Sequence, residues 1–253
     1  ERQSDEHCRR KEAVGIKSLS LAAFPLPFLI AGSADAGSIL PGFSYTVAVD
    51  GTVDASFDPG AGSNPSATVF EWNGTHTSAG AWSFDEGYTA TVDTDQRRVS
   101  LAFGFQNLDL VTHEYTVNIL APVDAIAGSS LYGGFASGTL NDVNDGLAML
   151  QSPSGVPTYS GNIDGAGVLS LLSSLNIQDN GLGSGSGFSE TSVPPGPFTP
   201  GPGVGDTIGI TVSFSLTPGD IASFNTAFIV TPAPGAFALI GLAGLVGSRR
   251  RRR

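Results

Sequence analysis

The stretch Ile208-Gly209-Ile210-Thr211-Val212-Ser213-Phe214-Ser215-Leu216 places an apolar side chain at every second position over nine residues. A period of two belongs to a strand with one buried face; a helix would need apolar residues three and four apart. Pro218-Gly219-Asp220 then supplies turn residues, and Phe224, Thr226, Phe228 and Val230 return with the same period. The two segments are expected to pair locally as a hairpin that closes an antiparallel sheet.

The same alternation recurs upstream. Phe43, Tyr45, Val47 and Val49 lead into Asp50-Gly51, and Val53, Ala55 and Phe57 continue as far as Asp58-Pro59-Gly60. Val69 to Trp72 is a short strand ending at Asn73-Gly74. Tyr88 to Val92 and Val99 to Phe105 read as a hairpin across 93–98, with Val99, Leu101, Phe103 and Phe105 on one face. Tyr115, Val117 and Ile119 repeat the pattern before Pro122. Helices are disfavoured, because Gly and Pro together make 50 of 253 residues and each destabilises a helix interior. The nearest approach to a helical stripe, Val168 to Leu175, is short and flanked by glycine. Many short strands with closely spaced turns predict an all-β fold, an antiparallel β-sandwich of jelly-roll-like type, over residues 37–230. Gly181 to Gly187 and Pro194 to Gly205 read as extended surface loop within that domain.

Charge is sparse and uneven. Between Gly37 and Thr231 there are 18 acidic residues, two arginines (Arg97 and Arg98) and no lysine, a formal charge of −16. Such a body repels phosphate backbones, which excludes nucleic acid as a partner. The single cysteine, Cys8, lies near the front, so the body has no disulfide, zinc-thiolate site or thiol nucleophile.

The two ends read as addresses. Residues 1–36 contain a leader: Lys17 gives a positive region, Leu19 to Ile30 an apolar run, and Ala34-Asp35-Ala36 before Gly37 a small-x-small cleavage site for signal peptidase. The charged stretch from Glu1 to Glu12 does not suit a signal peptide, and a true start near Val14 is expected. At the other end, over 231–253, Pro232-Ala233-Pro234 precedes an apolar stretch from Gly235 to Gly247, then Ser248 and Arg249, Arg250, Arg251, Arg252 and Arg253. Thirteen helical residues at ~1.5 Å each reach about 20 Å, short of a ~30 Å hydrocarbon core, so flanking residues and snorkelling arginines would complete the span. The arginines would hold the end on the cytoplasmic side.

This order of Pro-x-Pro motif, short hydrophobic helix and basic end resembles the PEP-CTERM sorting signal of Gram-negative bacteria, with Ala233 where that family usually has Glu. The resemblance covers under a tenth of the chain. It implies an exosortase-type transpeptidase as a processing partner, an inner-membrane-anchored precursor, and final placement at the cell surface or outside, in association with extracellular polysaccharide or biofilm matrix.

Chemistry is harder to find. His76 and His113 are the only histidines of the body, and no Gly-x-Ser-x-Gly elbow accompanies them. Asp85-Glu86, or Asp93 with Asp95, are candidate acid/base pairs of a glycosidase, although acidic residues also suit turns. Asn141-Asp142-Val143-Asn144-Asp145-Gly146 resembles the start of a calcium loop, giving Asp142, Asn144 and Asp145 as ligand candidates; Val143 falls where a third-position oxygen is needed, so an Asx-rich turn is the competing reading. No catalytic residue or cofactor is assigned. The residues favour a non-enzymatic structural protein of the surface or matrix. The alternative is a carbohydrate-binding sandwich using Trp72, Trp82 and Tyr88 as stacking surfaces, with a hydrolase behind it. Exposed aromatic rings would favour binding, and buried rings a plain core.

Overall fold

The computed structural model describes residues 40–233 apart from 41, 58–61, 79, 85–86, 145, 184 and 193–197. The leader with Ala34, Ala36 and Gly37, and the tail with Pro234 and Arg249 to Arg253, lie outside the described residues. The described residues form strands and turns, and no helix among them is long and apolar enough to cross a membrane.

The strands run β1 (Ser44–Val49), β2 (Thr52–Phe57), β3 (Ser63–Ser66), β4 (Val69–Gly74), β5 (Trp82–Ser83), β6 (Tyr88–Asp93), β7 (Arg98–Asn107), β8 (His113–Pro122) and β9 (Ser130–Asn141). They continue as β10 (Ala148–Gln151), β11 (Tyr159–Ile163), β12 (Ala166–Leu171), β13 (Asn176–Asp179), β14 (Gly185–Thr191), β15 (Thr199–Gly201), β16 (Thr207–Leu216) and β17 (Ile221–Pro232). Two antiparallel sheets result. The first has the order β12-β11-β16-β8-β1-β2, with β10 also beside β16 and β13 beside β10; the second has the order β14-β9-β17-β7-β6-β4-β3, with β15 on β9 and β5 on β7. Their inner faces pack into one core, so the fold is the expected all-β sandwich.

Alternation explains the core. Ile208, Ile210, Val212, Phe214 and Leu216 all point inward from β16, as do Phe224, Phe228 and Val230 from β17 and Val99, Leu101, Phe103 and Phe105 from β7. Phe214 of the first sheet meets Phe224 of the second with ring centroids 4.8 Å apart, and Phe105 stands edge-on to Phe214 at 5.3 Å. The rings therefore bridge the sheets as well as filling the space between them. β2 is an edge strand, and its Val53 is 62% exposed.

The expected hairpin between β16 and β17 does not form. β16 pairs with β8 on one side and with β10 and β11 on the other, while β17 pairs with β7 and β9. The turn between them is an arch that carries the chain from one sheet to the other. A strand has two edges, and here distant strands occupy both edges of each partner. The turn backbone is tied elsewhere: the Gly219 amide donates to the Asn107 carbonyl at 2.8 Å, and Gln106 Nε2 donates to the Gly219 carbonyl at 3.1 Å. β7 and β8 make the neighbouring crossing, so two arches lie side by side.

Two further expectations change. The stretches read as loop at 181–187 and 194–205 contribute β14 and β15, which add to the free edge of β9 at Phe135–Asn141 and Ser130–Tyr132. Asn73-Gly74 is the end of β4 and no turn; both residues pair with β6. Asp50-Gly51 is the turn foreseen, with φ of 48° and 79°, the left-handed pair that a two-residue hairpin loop requires.

Candidate functional site

The aromatic residues expected to stack on sugars belong to the core. Trp72 is 3% exposed and lies parallel to Phe43 at 4.1 Å; Trp82 is 0% exposed, stacks on Phe105 at 5.3 Å and donates its indole N–H to Asp54 at 2.8 Å. Tyr88 is half-buried against Tyr45 at 5.3 Å. Alternation decides this. Trp72 is two residues from buried Phe70, and Trp82 sits on β5, pinned to the end of β7. Neither indole offers an open ring face, while Tyr88 borders a hollow shared with Thr89, Ala102 and Ser223.

The calcium candidates build a turn. Asp142 Oδ1 accepts the Asn144 and Gly146 amides, both at 3.2 Å, and Asn144 Nδ2 donates to the Pro218 carbonyl at 3.0 Å. Asp145 lies outside the described residues. Asp179 and Asp220, which sequence reasoning did not single out, are buried with Asp142. Asp220 accepts Thr217 Oγ1 at 2.5 Å and the Val143 amide at 3.4 Å, tying the β16–β17 arch to this turn, and Asp179 Oδ1 accepts the Gly181 amide at 3.3 Å. Among the described residues, no group of three His, Cys, Asp or Glu side chains is placed to hold a metal ion.

His113 has two carboxylate partners: Nδ1 lies 2.7 Å from Asp50 and Nε2 lies 3.0 Å from Asp109. Burial pulls its pKa down, but the hydrogen bonds to Asp109 and Asp50 outweigh this and raise it above the usual 6.5. Asp50 is lowered, chiefly by the Glu114 amide and then by His113, and Asp109 is lowered chiefly by His113. This is a clip between the β1–β2 turn and the β7–β8 arch. Asp93 caps its own hairpin turn, accepting the amides of Asp95 and Gln96 at 3.1 and 3.0 Å. Asp85 and Glu86 lie outside the described residues. His76 packs beside Trp82 at 5.1 Å. Pro232 ends β17, and the Ala233 amide donates to the Ser129 carbonyl at 3.2 Å.

Part of the accessible relief among the described residues lies on the outer face of the nine-stranded sheet. Two hollows meet at Arg98. One, of about 360 Å³, is lined by Val69, Thr91, Asp93, Gln96 and Ser100 as well as Arg98. The other, of about 290 Å³, is lined by Gly134, Phe135, Phe198, Ala227 and Ile229 beside the same arginine. Arg98 precedes buried Val99, so alternation sends it outward, and Ile229 lies opposite it on β17. The groove crosses β4, β6, β7, β17 and β9, four strand spacings or roughly 19 Å. It joins half-buried apolar side chains to a guanidinium, a carboxylate, an amide and hydroxyls. The isolated Arg97-Arg98 pair was its only trace in the sequence; its apolar side comes from residues scattered over 135–229.

No protein-family model matches the chain, and no curated protein matches it. Among solved structures, TmCBM61 in complex with β-1,4-galactotriose is similar at 11% identity, covering 78% of this chain and 92% of that one, with a TM-score of 0.28. A superposition that loose establishes neither a shared strand order nor a shared site.

Proposed function

We propose that the protein is an exported, non-catalytic β-sandwich of the cell surface or extracellular matrix, whose body works by contact with extracellular polysaccharide. The observation that carries the binding half is the groove at Arg98, where Phe135, Phe198 and Ile229 offer apolar surface beside Thr91, Gln96 and Ser100. Sugar rings present apolar C–H faces and hydroxyl edges together, and a surface of this mixed kind matches both.

Two features support a non-catalytic body. Asp93 is engaged in building a hairpin turn, and His113 is engaged by two carboxylates that link loops at one end of the sandwich. Export rests on the sequence of the two ends: Ala34-Asp35-Ala36 for signal peptidase, and Pro232-Ala233-Pro234 with Arg249 to Arg253 for an exosortase-type enzyme and transient anchoring in the inner membrane. The reading needs no cofactor.

Affinity electrophoresis of the full chain through gels containing soluble exopolysaccharides, with a parallel assay for new reducing ends, tests this. Retarded migration without reducing-end release is expected. Release of reducing ends would make the protein a hydrolase, and unretarded migration in every polysaccharide would remove the partner class.

A further inference from the structure

Arg97 and Arg98 are the only basic side chains other than histidine among the described residues. Arg97 donates Nε–H to the Asp124 carbonyl at 3.0 Å, which fixes it against the loop after β8. Arg98 is exposed, and the ion pairs found among the described residues all belong to His113. A cation in a body of formal charge −16 has many acidic residues to pair with. This one instead stands open where the two hollows meet, with apolar side chains on one side and hydroxyl, amide and carboxylate groups on the other. The carboxylate is Asp93, opposite Arg98 on β6; its Oδ1 accepts two amides of the β6–β7 turn, and it makes no ion pair with the guanidinium.

Building on the polysaccharide reading above, we infer that the groove takes a saccharide carrying an isolated carboxylate, such as a single uronic acid branch, with the carboxylate on Arg98. A guanidinium matches a carboxylate through two parallel N–H···O bonds, which a neutral hydroxyl cannot reproduce. The sugar rings beside it would lie over Phe135, Phe198 and Ile229, and their hydroxyls would face Thr91, Gln96 and Ser100. The surrounding charge narrows the class further. A polymer with an anionic group on every sugar would meet 18 acidic residues with one open arginine, and long-range repulsion would oppose it at low salt. One carboxylate on an otherwise neutral chain gains the arginine contact without that penalty.

The test is calorimetric titration of the full chain with two probes, unbranched xylotetraose and xylotetraose carrying one glucuronate branch. Wild type, Arg98→Gln and Phe135→Ala are compared, with thermal melting of each as the control for folding. The charged probe is expected to bind roughly ten- to hundredfold more tightly, the range of one charge-assisted contact. Arg98→Gln should erase that preference, bringing charged-probe affinity down to that of the neutral probe at an unchanged melting temperature, and Phe135→Ala should weaken both probes alike. Equal binding of the two probes by wild type, or a preference that survives in Arg98→Gln, would overturn the carboxylate assignment. If both probes bind equally and Phe135→Ala weakens both, the polysaccharide reading stands without it. If neither probe binds, the carboxylate assignment fails, and the polysaccharide reading is decided by the electrophoresis above.

Discussion

Asn107 carries more of this fold than any residue that pattern reading would choose. It is fully buried at the end of β7; its Nδ2 donates to the Val111 carbonyl and to the Leu216 carbonyl, each at 2.9 Å, and its Oδ1 accepts the Asp109 amide at 3.0 Å. One side chain thus joins the two arches that carry the chain between sheets. Asn107→Ala would strand the buried Leu216 carbonyl, a loss of about 1–3 kcal/mol, while the Val111 carbonyl and Asp109 amide are open enough to turn to water. A fall in melting temperature of roughly 2–12 °C is expected for a domain of this size, read by circular dichroism. Close to it, the His113 clip predicts a pH dependence. A raised histidine pKa gives stabilisation that is complete below the usual 6.5 and fades as pH rises through the raised value. The lowered Asp50 and Asp109 give stabilisation that is present above the usual 3.8 and fades as pH falls through their lowered values. The clip is therefore strongest between those limits. His113→Gln should flatten the decline in melting temperature above pH 6.5, and an identical decline in both proteins would show that the clip adds nothing.

At the scale of elements, the two arches make β16 and β17 the central members of different sheets. Removing them takes an inner strand from each sheet and uncovers both neighbours. The fragment 37–206 should therefore lack a cooperative melt, while 37–233, which keeps both strands, should melt cooperatively with a β-type spectrum. Equal behaviour of the two fragments would contradict the topology. Sheet separation depends on small residues facing large ones. Gly161 of β11 faces the Phe228 ring of β17, and a methyl group added there would overlap that ring. Gly161→Ala should destabilise by about 1–3 kcal/mol, the usual cost of overpacking. Phe228→Leu in the same chain should recover part of the loss, a coupling that a double-mutant cycle measures directly. Likewise Tyr159 reaches across the interior to donate to the Ala227 carbonyl at 2.8 Å, which the absence of a side chain at Gly134 permits.

For the molecule as a whole, the dominant features are its charge and its non-local connectivity. The −16 of the body comes from 18 acidic residues against two arginines, and mutual repulsion works against the folded state. Raising monovalent salt from about 10 to 150 mM shortens the Debye length from about 30 to about 8 Å, so the melting temperature should rise over that interval. A flat or falling response in differential scanning calorimetry would show that repulsion does not limit stability.

The alternation of single segments was legible in the sequence, because a strand between two packed sheets must be apolar on one side and its period is two whatever its neighbours are. That was enough for the all-β class, for most of the strands, for the inward faces of β7, β16 and β17, and for the Asp50-Gly51 turn. Pairing was not legible. The same inward row on β16 and β17 satisfies a hairpin and an arch equally, and the choice fell to Asn107 and to strands such as β8 and β9, far away in the chain, that compete for the same edges. The burial of Trp72 and Trp82 followed from that competition, since a ring is core only once an opposite sheet covers it. The groove at Arg98 was invisible for a related reason: its members come from β4, β6, β7, β17, β9 and the approach to β15, and only the lateral order of the strands brings them to one face. Local chemistry sets which way each side chain points, while long-range pairing sets what it meets.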